Sequence, residues 1–90
     1  MTQKNVLLSQ PKILIIEDHR ATLDAIKMIF EFEGYMTMNL SNAIDLHIKV
    51  AAFQPDIILI DILLGMTDGL AICTELKLSA HGSIPSLLMS

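Results

Sequence analysis

Residues 56–62 read DIILIDI: Asp56 opens the stretch, and the apolar run that follows it is interrupted by a second acid, Asp61, near its end. Continuous runs of isoleucine and leucine are typical of strands that are covered on both faces of a parallel sheet. We therefore predict a strand over Asp56–Ile62. Burying an aspartate in so apolar a strand is energetically costly, and this indicates that the residue has a function. Asp61 is therefore the first candidate for a functional residue.

A second run of the same kind lies nearer the N-terminus. Residues 12–16 read KILII and are followed at once by Glu17 and Asp18. The next segment, residues 20–33, predicts a helix, and Gly34 stands where its C-terminal cap would lie. Three apolar residues in it are spaced three and four apart, the period of one helix face: Leu23, Ile26 and Phe30.

The rest of the chain continues this alternation. Strands are predicted over 35–40 and 84–90, a helix after the capping residues Ser41-Asn42, and a short helix over 70–78 after the turn Asp68-Gly69. The first of these helices has an apolar inner face: Ala43, Leu46, Val50 and Phe53. Strands that alternate with helices indicate right-handed crossovers, and hence an α/β fold with a parallel sheet and helices on both faces.

The composition fits one small domain. The chain has 90 residues, of which 52% are hydrophobic and 18% charged, and this argues against disorder. A net charge of −4 without a Lys/Arg cluster argues against nucleic acid as a direct partner. The chain has a lone cysteine and no signal peptide, and it lacks a run of the roughly 20 apolar residues that a membrane span needs. These features predict a cytoplasmic protein without a membrane partner. We interpret residues 1–11 as a flexible leader and 12–90 as the domain.

Three acids are expected at one edge of the sheet. In parallel sheets ligands gather at the carboxyl ends of the strands, where Glu17, Asp18 and Asp61 lie. Like charges that are close together need a cation, and a hard, oxygen-binding ion such as Mg²⁺ is the usual one. Beside such an ion, Asp61 is a plausible nucleophile toward a phosphoryl group, since a carboxylate needs no activating base. The alternative for each acid taken alone is a solvated loop residue.

These residues resemble the receiver domain of two-component response regulators over about residues 12–90. The motifs that carry the resemblance are the acidic pair Glu17-Asp18, the segment DILLGMTDG at 61–69, and the hydroxyl residue Ser90 at the end of the fourth strand. The resemblance implies a flavodoxin-like, doubly wound parallel sheet with strand order 2-1-3-4-5.

The resemblance also implies a function and a set of site residues. It implies that a sensor histidine kinase or a phosphotransfer protein phosphorylates Asp61, and that the domain relays the change to an output partner. Mg²⁺ would be held by Asp18, Asp61 and the backbone carbonyl of Leu63, with Glu17 acting through water. Ser90 would hydrogen-bond the phosphoryl group. This is the function of a phospho-accepting signalling domain rather than of an enzyme.

The sequence departs from the family pattern in two places. Gly65 stands where family members usually have a proline, which should make the loop less rigid. The fifth strand with its lysine and the last two helices of the family are not in the sequence. We therefore expect a fragment of a longer protein or a chain that associates with another copy, since the fourth strand would form an apolar edge: Ile84, Leu87, Leu88 and Met89. Part of the helix face around Leu23, Ile26 and Phe30 would also be bare.

Two other functions stay open at this point. A receiver-like module that no longer switches would act through surface contacts or dimerisation alone. A metal-dependent phosphohydrolase of the haloacid-dehalogenase type would want a second acid two residues after the nucleophile, where this chain has Leu63. We assign His19 to a solvent-facing loop rather than to the metal, His47 to a wet helix face, and Cys73 to the apolar interior.

Overall fold

A computed structural model of the chain describes residues 10–64 and 67–89. Their strands and helices follow the expected alternation. They are, in chain order, β1 (Lys12–Ile16), α1 (Arg20–Phe32), β2 (Met36–Leu40), α2 (Leu46–Phe53), β3 (Ile57–Asp61), β4 (Leu63–Leu64), β5 (Thr67–Asp68), α3 (Gly69–Lys77) and β6 (Ser86–Met89). Residues 1–9 of the expected leader lie outside the described residues, and so do Gly65 and Ser90.

Four strands form one parallel sheet in the order β2-β1-β3-β6. In the register, Ile16 pairs with Leu40 on one side and with Ile60 on the other, and Asp61 pairs with Met89. The order 2-1-3-4 confirms the predicted α/β fold, with β6 as the fourth strand of the sheet. The short antiparallel pair β4-β5 was not expected from the sequence.

Alternate residues of the strands build a core on each face of the sheet, as strands covered on both sides require. One cluster packs the sheet against α2 and α3: Leu14, Ile16, Leu46, Val50, Phe53, Ile58, Ile60, Ile72, Cys73 and Leu76. The other packs it against α1: Ile13, Ile15 and Leu23, with Ile26 and Phe30 partly buried beside them. Leu23, Ile26 and Phe30 thus form the inner face of α1, as the spacing predicted.

The start of α2 differs from the expectation. The helix begins at Leu46 rather than directly after Asn42, because the Asn42 side chain accepts the N–H of Ile44 at 2.9 Å and so stabilises a turn instead. Asp45 occupies the capping position without a side-chain cap hydrogen bond. The helix ends at Phe53. Its C-cap residue Gln54, whose φ of 53° is left-handed, precedes the buried Pro55.

Some large apolar side chains remain exposed. On α1 they are Met28, Ile29 and Phe32, which lie beside the inner face rather than on it, and on β6 they are Leu87 and Leu88. The bare part of α1 is therefore this neighbouring stripe and not the face that the sequence indicated. No helix of the described chain is both long and apolar enough to cross a membrane.

Candidate functional site

The acidic site lies at the carboxyl ends of β1 and β3, which are neighbours in the sheet. Glu17 follows the last residue of β1, and Asp61 is the last residue of β3. Because Ile16 pairs with Ile60 in parallel register, the two acids reach the same edge of the sheet. The backbone of Glu17 is also fixed, since its N–H donates to the carbonyl of Leu40 at 3.0 Å.

The structure brings three predicted acids together. One carboxylate oxygen each of Glu17, Asp18 and Asp61 can be chosen so that all three lie within 4.8 Å of one another. Glu17 is buried, with 2% of the residue exposed, whereas Asp18 is exposed and Asp61 is half-buried. An all-oxygen donor set of this kind fits a hard divalent cation such as Mg²⁺.

The environment of Glu17 favours its protonated form. Burial raises the pKa of Glu17 above its ordinary value of 4.5. A hydrogen bond that its protonated carboxyl donates to Asp61, and the negative charges of Asp61 and Asp18, raise this pKa further, while the N–H of His19 opposes them. That N–H donates to Glu17 Oε2 at 3.0 Å. A proton on Glu17 therefore relieves the repulsion between the clustered acids.

His19 lies beside this cluster but outside the group of acids that could hold a metal. Its ring Nδ1 lies 2.9 Å from the hydroxyl of Thr22, and the residue is exposed. This position fits the solvent-facing loop histidine that we expected. Cys73 is a buried, free cysteine, which agrees with the interior position predicted for it.

Two predicted site residues are placed only in part or not at all. The backbone of Leu63 lies in β4, two residues after Asp61. Ser90 is outside the described residues, and the described part of β6 ends at Met89, the partner of Asp61 in the register. The roles predicted for Leu63 and Ser90 therefore stay predictions.

Sequence reasoning missed a second group of polar side chains, which joins α2, α3 and the loop after α3. His47 Nε2 lies 2.5 Å from Glu75 Oε2, and the rings of His47 and His81 stack with their centroids 5.4 Å apart. The contact joins residues 28 positions apart in the chain. No helical or strand period relates such residues, so only the packing of the helices reveals the group.

A parallel α/β sheet with an acidic cluster at the carboxyl ends of β1 and β3 fits the class of receiver domains. The sequence model of the response regulator receiver domain family matches residues 13–90. The chain therefore belongs to this family, which comprises signalling domains of two-component systems.

Related sequences are response regulators. The transcriptional regulatory protein KdpE of Staphylococcus aureus (strain NCTC 8325 / PS 47) is 35% identical over 81 residues, which are 90% of this chain and 34% of KdpE. The aerobic respiration control protein ArcA of Escherichia coli (strain K12) is 31% identical over 74 residues, 82% of this chain and 31% of ArcA. The chain spans about a third of the length of these relatives.

Solved structures show the same fold. The signal receiver domain of a signal transduction histidine kinase from Syntrophus aciditrophicus aligns with a TM-score of 0.81 and 32% identity, covering 89% of this chain and 61% of that one. The N-terminal domain of the nisin resistance regulator NsrR aligns with a TM-score of 0.76 and 34% identity, covering 91% of this chain and 68% of that one. The architecture is that of the CheY-like, flavodoxin-like receiver domains.

Proposed function

We propose that Asp61 accepts a phosphoryl group from a sensor histidine kinase or a phosphotransfer protein. The observation that carries the proposal is the convergence of Glu17, Asp18 and Asp61 within 4.8 Å in a chain that belongs to the receiver family. Receiver domains interact with such phosphodonors, and the half-buried Asp61 is the member of the cluster at the end of the central strand β3.

The transfer needs no general base. A carboxylate oxygen of Asp61 attacks the phosphorus, the bond from phosphorus to the donor atom breaks, and the leaving group keeps that electron pair. We assign the binding of Mg²⁺ to Asp18, Asp61 and the backbone carbonyl of Leu63, with Glu17 acting through water. A bound divalent cation would offset the negative charge that gathers between Asp61 and the phosphoryl oxygens.

Two further assignments rest on the family resemblance. Ser90 is proposed to hydrogen-bond the phosphoryl group and so to help relay phosphorylation to an output partner.

Residues 12–90 are proposed to form the receiver domain and residues 1–11 a leader, which agrees with a family match that begins at residue 13. Limited proteolysis should trim the leader first and leave the domain intact.

Phosphorylation of the purified chain tests the proposal. The chain is incubated with a small phosphodonor, with and without Mg²⁺, and its intact mass is measured beside Asp61→Asn. Asp45→Asn is the matched control, because Asp45 is exposed and its side chain makes no cap hydrogen bond. We expect one added phosphoryl group in the unchanged chain and in Asp45→Asn, dependent on Mg²⁺, and none in Asp61→Asn.

The same experiment separates the assignments from one another. Ser90→Ala should still be labelled at Asp61. If the Ser90 hydroxyl bonds to the phosphoryl group, the lifetime of that group on Asp61 should change in this variant. Labelling of Asp61→Asn at the level of the unchanged chain would contradict Asp61 as the acceptor. A folded but unlabelled chain would contradict the phospho-acceptor function.

A module that binds without switching is the second candidate function, and the exposed fourth strand favours it. Within the described residues β6 pairs only with β3, and Leu87 and Leu88 on it are exposed. An apolar edge of this kind is a template for a partner strand. We propose that a homodimer forms along this edge, and this association needs no phosphorylation.

A further inference from the structure

Gly69, the first residue of α3, lies against the end of the strand that carries Asp61. A Cβ atom added to Gly69 would lie 2.0 Å from the carbonyl oxygen of Asp61, 2.8 Å from Cα of Ile62 and 2.9 Å from the carbonyl carbon of Asp61. All three are backbone atoms, so no side chain can rotate away to make room. Any other residue at position 69 must separate α3 from the end of β3.

The requirement at Gly69 is for space and not for an unusual backbone conformation. The positive-φ glycine in the described chain is Gly34, with φ of 95°, and Gly69 is not in that region. In a helix alanine is more favourable than glycine when nothing else changes. The cost of a side chain at position 69 therefore arises from the contact with Asp61 and Ile62.

Local hydrogen bonds hold the helix in this close approach. The N–H of Gly69 donates to the carbonyl of Ile62 at 3.1 Å. The side chain of Asp68 caps α3 by accepting the N–H of Leu70 at 2.9 Å. The N–H of Ile62 in turn donates to the carbonyl of Met89 at 2.8 Å. The end of β3 is thus held between α3 and β6.

We propose that Gly69 is a positioning residue that fixes the main chain of Asp61 and thereby the place of its carboxylate in the acidic cluster. Real Cβ contacts stay beyond 3.0 Å, so a methyl group at position 69 must shift the two segments apart by about 1 Å. A displacement of this size at reacting groups can lower reaction rates by up to about a hundred-fold. As a role in phosphorylation, this inference rests on the proposed function.

The chain offers a matched control in Gly82. A Cβ atom added there would lie 2.5 Å from the carbonyl oxygen of Lys77, which is also a backbone atom but belongs to the C-terminal end of α3. Gly69→Ala and Gly82→Ala therefore both force a helix end away from a neighbouring segment. Of these two, Gly69→Ala alone does so at the acidic site.

The test compares the full 90-residue chain with both variants in three measurements. They are the backbone amide chemical shifts, the Kd for Mg²⁺ and the rate of labelling by a small phosphodonor at saturating Mg²⁺. In Gly69→Ala we expect shifted Asp61 and Ile62 amides, at least ten-fold weaker Mg²⁺ binding and at least ten-fold slower labelling. In Gly82→Ala the amide chemical shifts of Asp61 and Ile62 should not change. The Kd for Mg²⁺ and the labelling rate should both stay within two-fold of the values for the unchanged chain.

Unmoved Asp61 and Ile62 amides in Gly69→Ala, or equal losses in both variants, would overturn the positioning role. The amide measurement needs neither Mg²⁺ nor phosphorylation. A chain that binds no Mg²⁺ and takes no phosphoryl group would therefore contradict the proposed function, while the amide shifts still decide whether Gly69 positions the main chain of Asp61.

A second pair of variants covers the case in which Gly69→Ala does not fold. Asp68→Ala and Asp68→Asn both remove one negative charge, but asparagine is as good a helix cap as aspartate, whereas alanine is not. We expect Asp68→Ala to shift the Asp61 amide and to bind Mg²⁺ at least three-fold more weakly than Asp68→Asn. Equal behaviour of these two variants would count against the positioning role.

Discussion

Glu17 is the member of the acidic cluster whose chemistry depends most on burial. It is 2% exposed, and the burial and the neighbouring acids raise its pKa above 4.5. Between pH 4.5 and that raised value the folded chain binds more protons at this site than the unfolded chain does. The contribution of protonated Glu17 to the free energy of unfolding is thus complete below pH 4.5. This contribution is lost as the pH rises through the folded-state pKa of Glu17.

We expect Glu17→Gln to stabilise the chain at neutral pH in the absence of divalent cations, because glutamine keeps the shape of glutamate but cannot ionise. Each unit by which the pKa of Glu17 is raised corresponds to about 1.4 kcal/mol, which the variant would recover. Urea unfolding in chelator from pH 4 to pH 8 measures this. The slope of stability against pH above 4.5 should be smaller in Glu17→Gln.

The exposed acid Glu33 provides the control for this prediction, since Glu33→Gln removes one negative charge from the surface at the end of α1. Its stability should follow the pH profile of the unchanged chain. If Glu17→Gln and Glu33→Gln gave the same profile, the raised pKa of Glu17 would not be the cause of the pH dependence.

At the scale of elements, the strands were predictable because each is a short apolar run with a sharp polar end. KILII at residues 12–16 matches β1 residue for residue, and the run at 56–62 contains β3 with one residue to spare at each end. The start of α2 was not predictable, because Asn42 suits both a helix cap and the turn that it stabilises. The choice between them depends on packing.

The acidic site was predictable for a related reason. Parallel strands bring their carboxyl ends to one edge, so the position of each acid in the sequence was enough to place Glu17 and Asp61 together. The close approach of Gly69 was not predictable, because the Asp68-Gly69 pair indicates only a turn. The distances from Gly69 to the main chain of Asp61 appear only once α3 is docked on the sheet.

The packing of α3 gives a prediction at this scale. Leu76 is 1% exposed in the core beneath the sheet, while Leu78, two residues later, is 84% exposed. We expect Leu76→Ala to lower the free energy of unfolding by about 2–5 kcal/mol, since it leaves a cavity, and Leu78→Ala to change it by less than about 0.5 kcal/mol. Urea unfolding measures both. Similar losses in the two variants would contradict the position of α3 on the sheet.

In the described part of the chain, the sheet has two inner strands and an edge strand, β6, that is paired on one side. β1 and β3 are the inner strands, and their apolar residues are buried or half-buried, but β6 has a pairing partner on one side only within the described chain. The N–H of Ile58 and that of Ile62 donate to the carbonyls of Pro85 and Met89. Because successive residues of a strand direct their backbone groups to opposite sides, Ser86 and Leu88 direct theirs away from β3.

We expect the chain to self-associate through this edge, and Leu87→Lys to weaken the association by at least ten-fold in Kd. Leu87 is 52% exposed, and a lysine on an edge strand is one of the means by which proteins block edge-to-edge pairing. Sedimentation velocity over a range of concentrations measures the change. The average mass of the unchanged chain should rise from 10.0 kDa toward twice that value.

The control for this edge is Leu70→Lys, because Leu70 is 51% exposed but lies on α3. The two variants add the same charge and remove the same amount of apolar surface, so a non-specific decrease in hydrophobic association would affect both. Association that is weakened in Leu87→Lys alone would identify β6 as the interface. An average mass of 10.0 kDa at every concentration in the unchanged chain would contradict the homodimer and leave phosphorylation of Asp61 as the function to pursue.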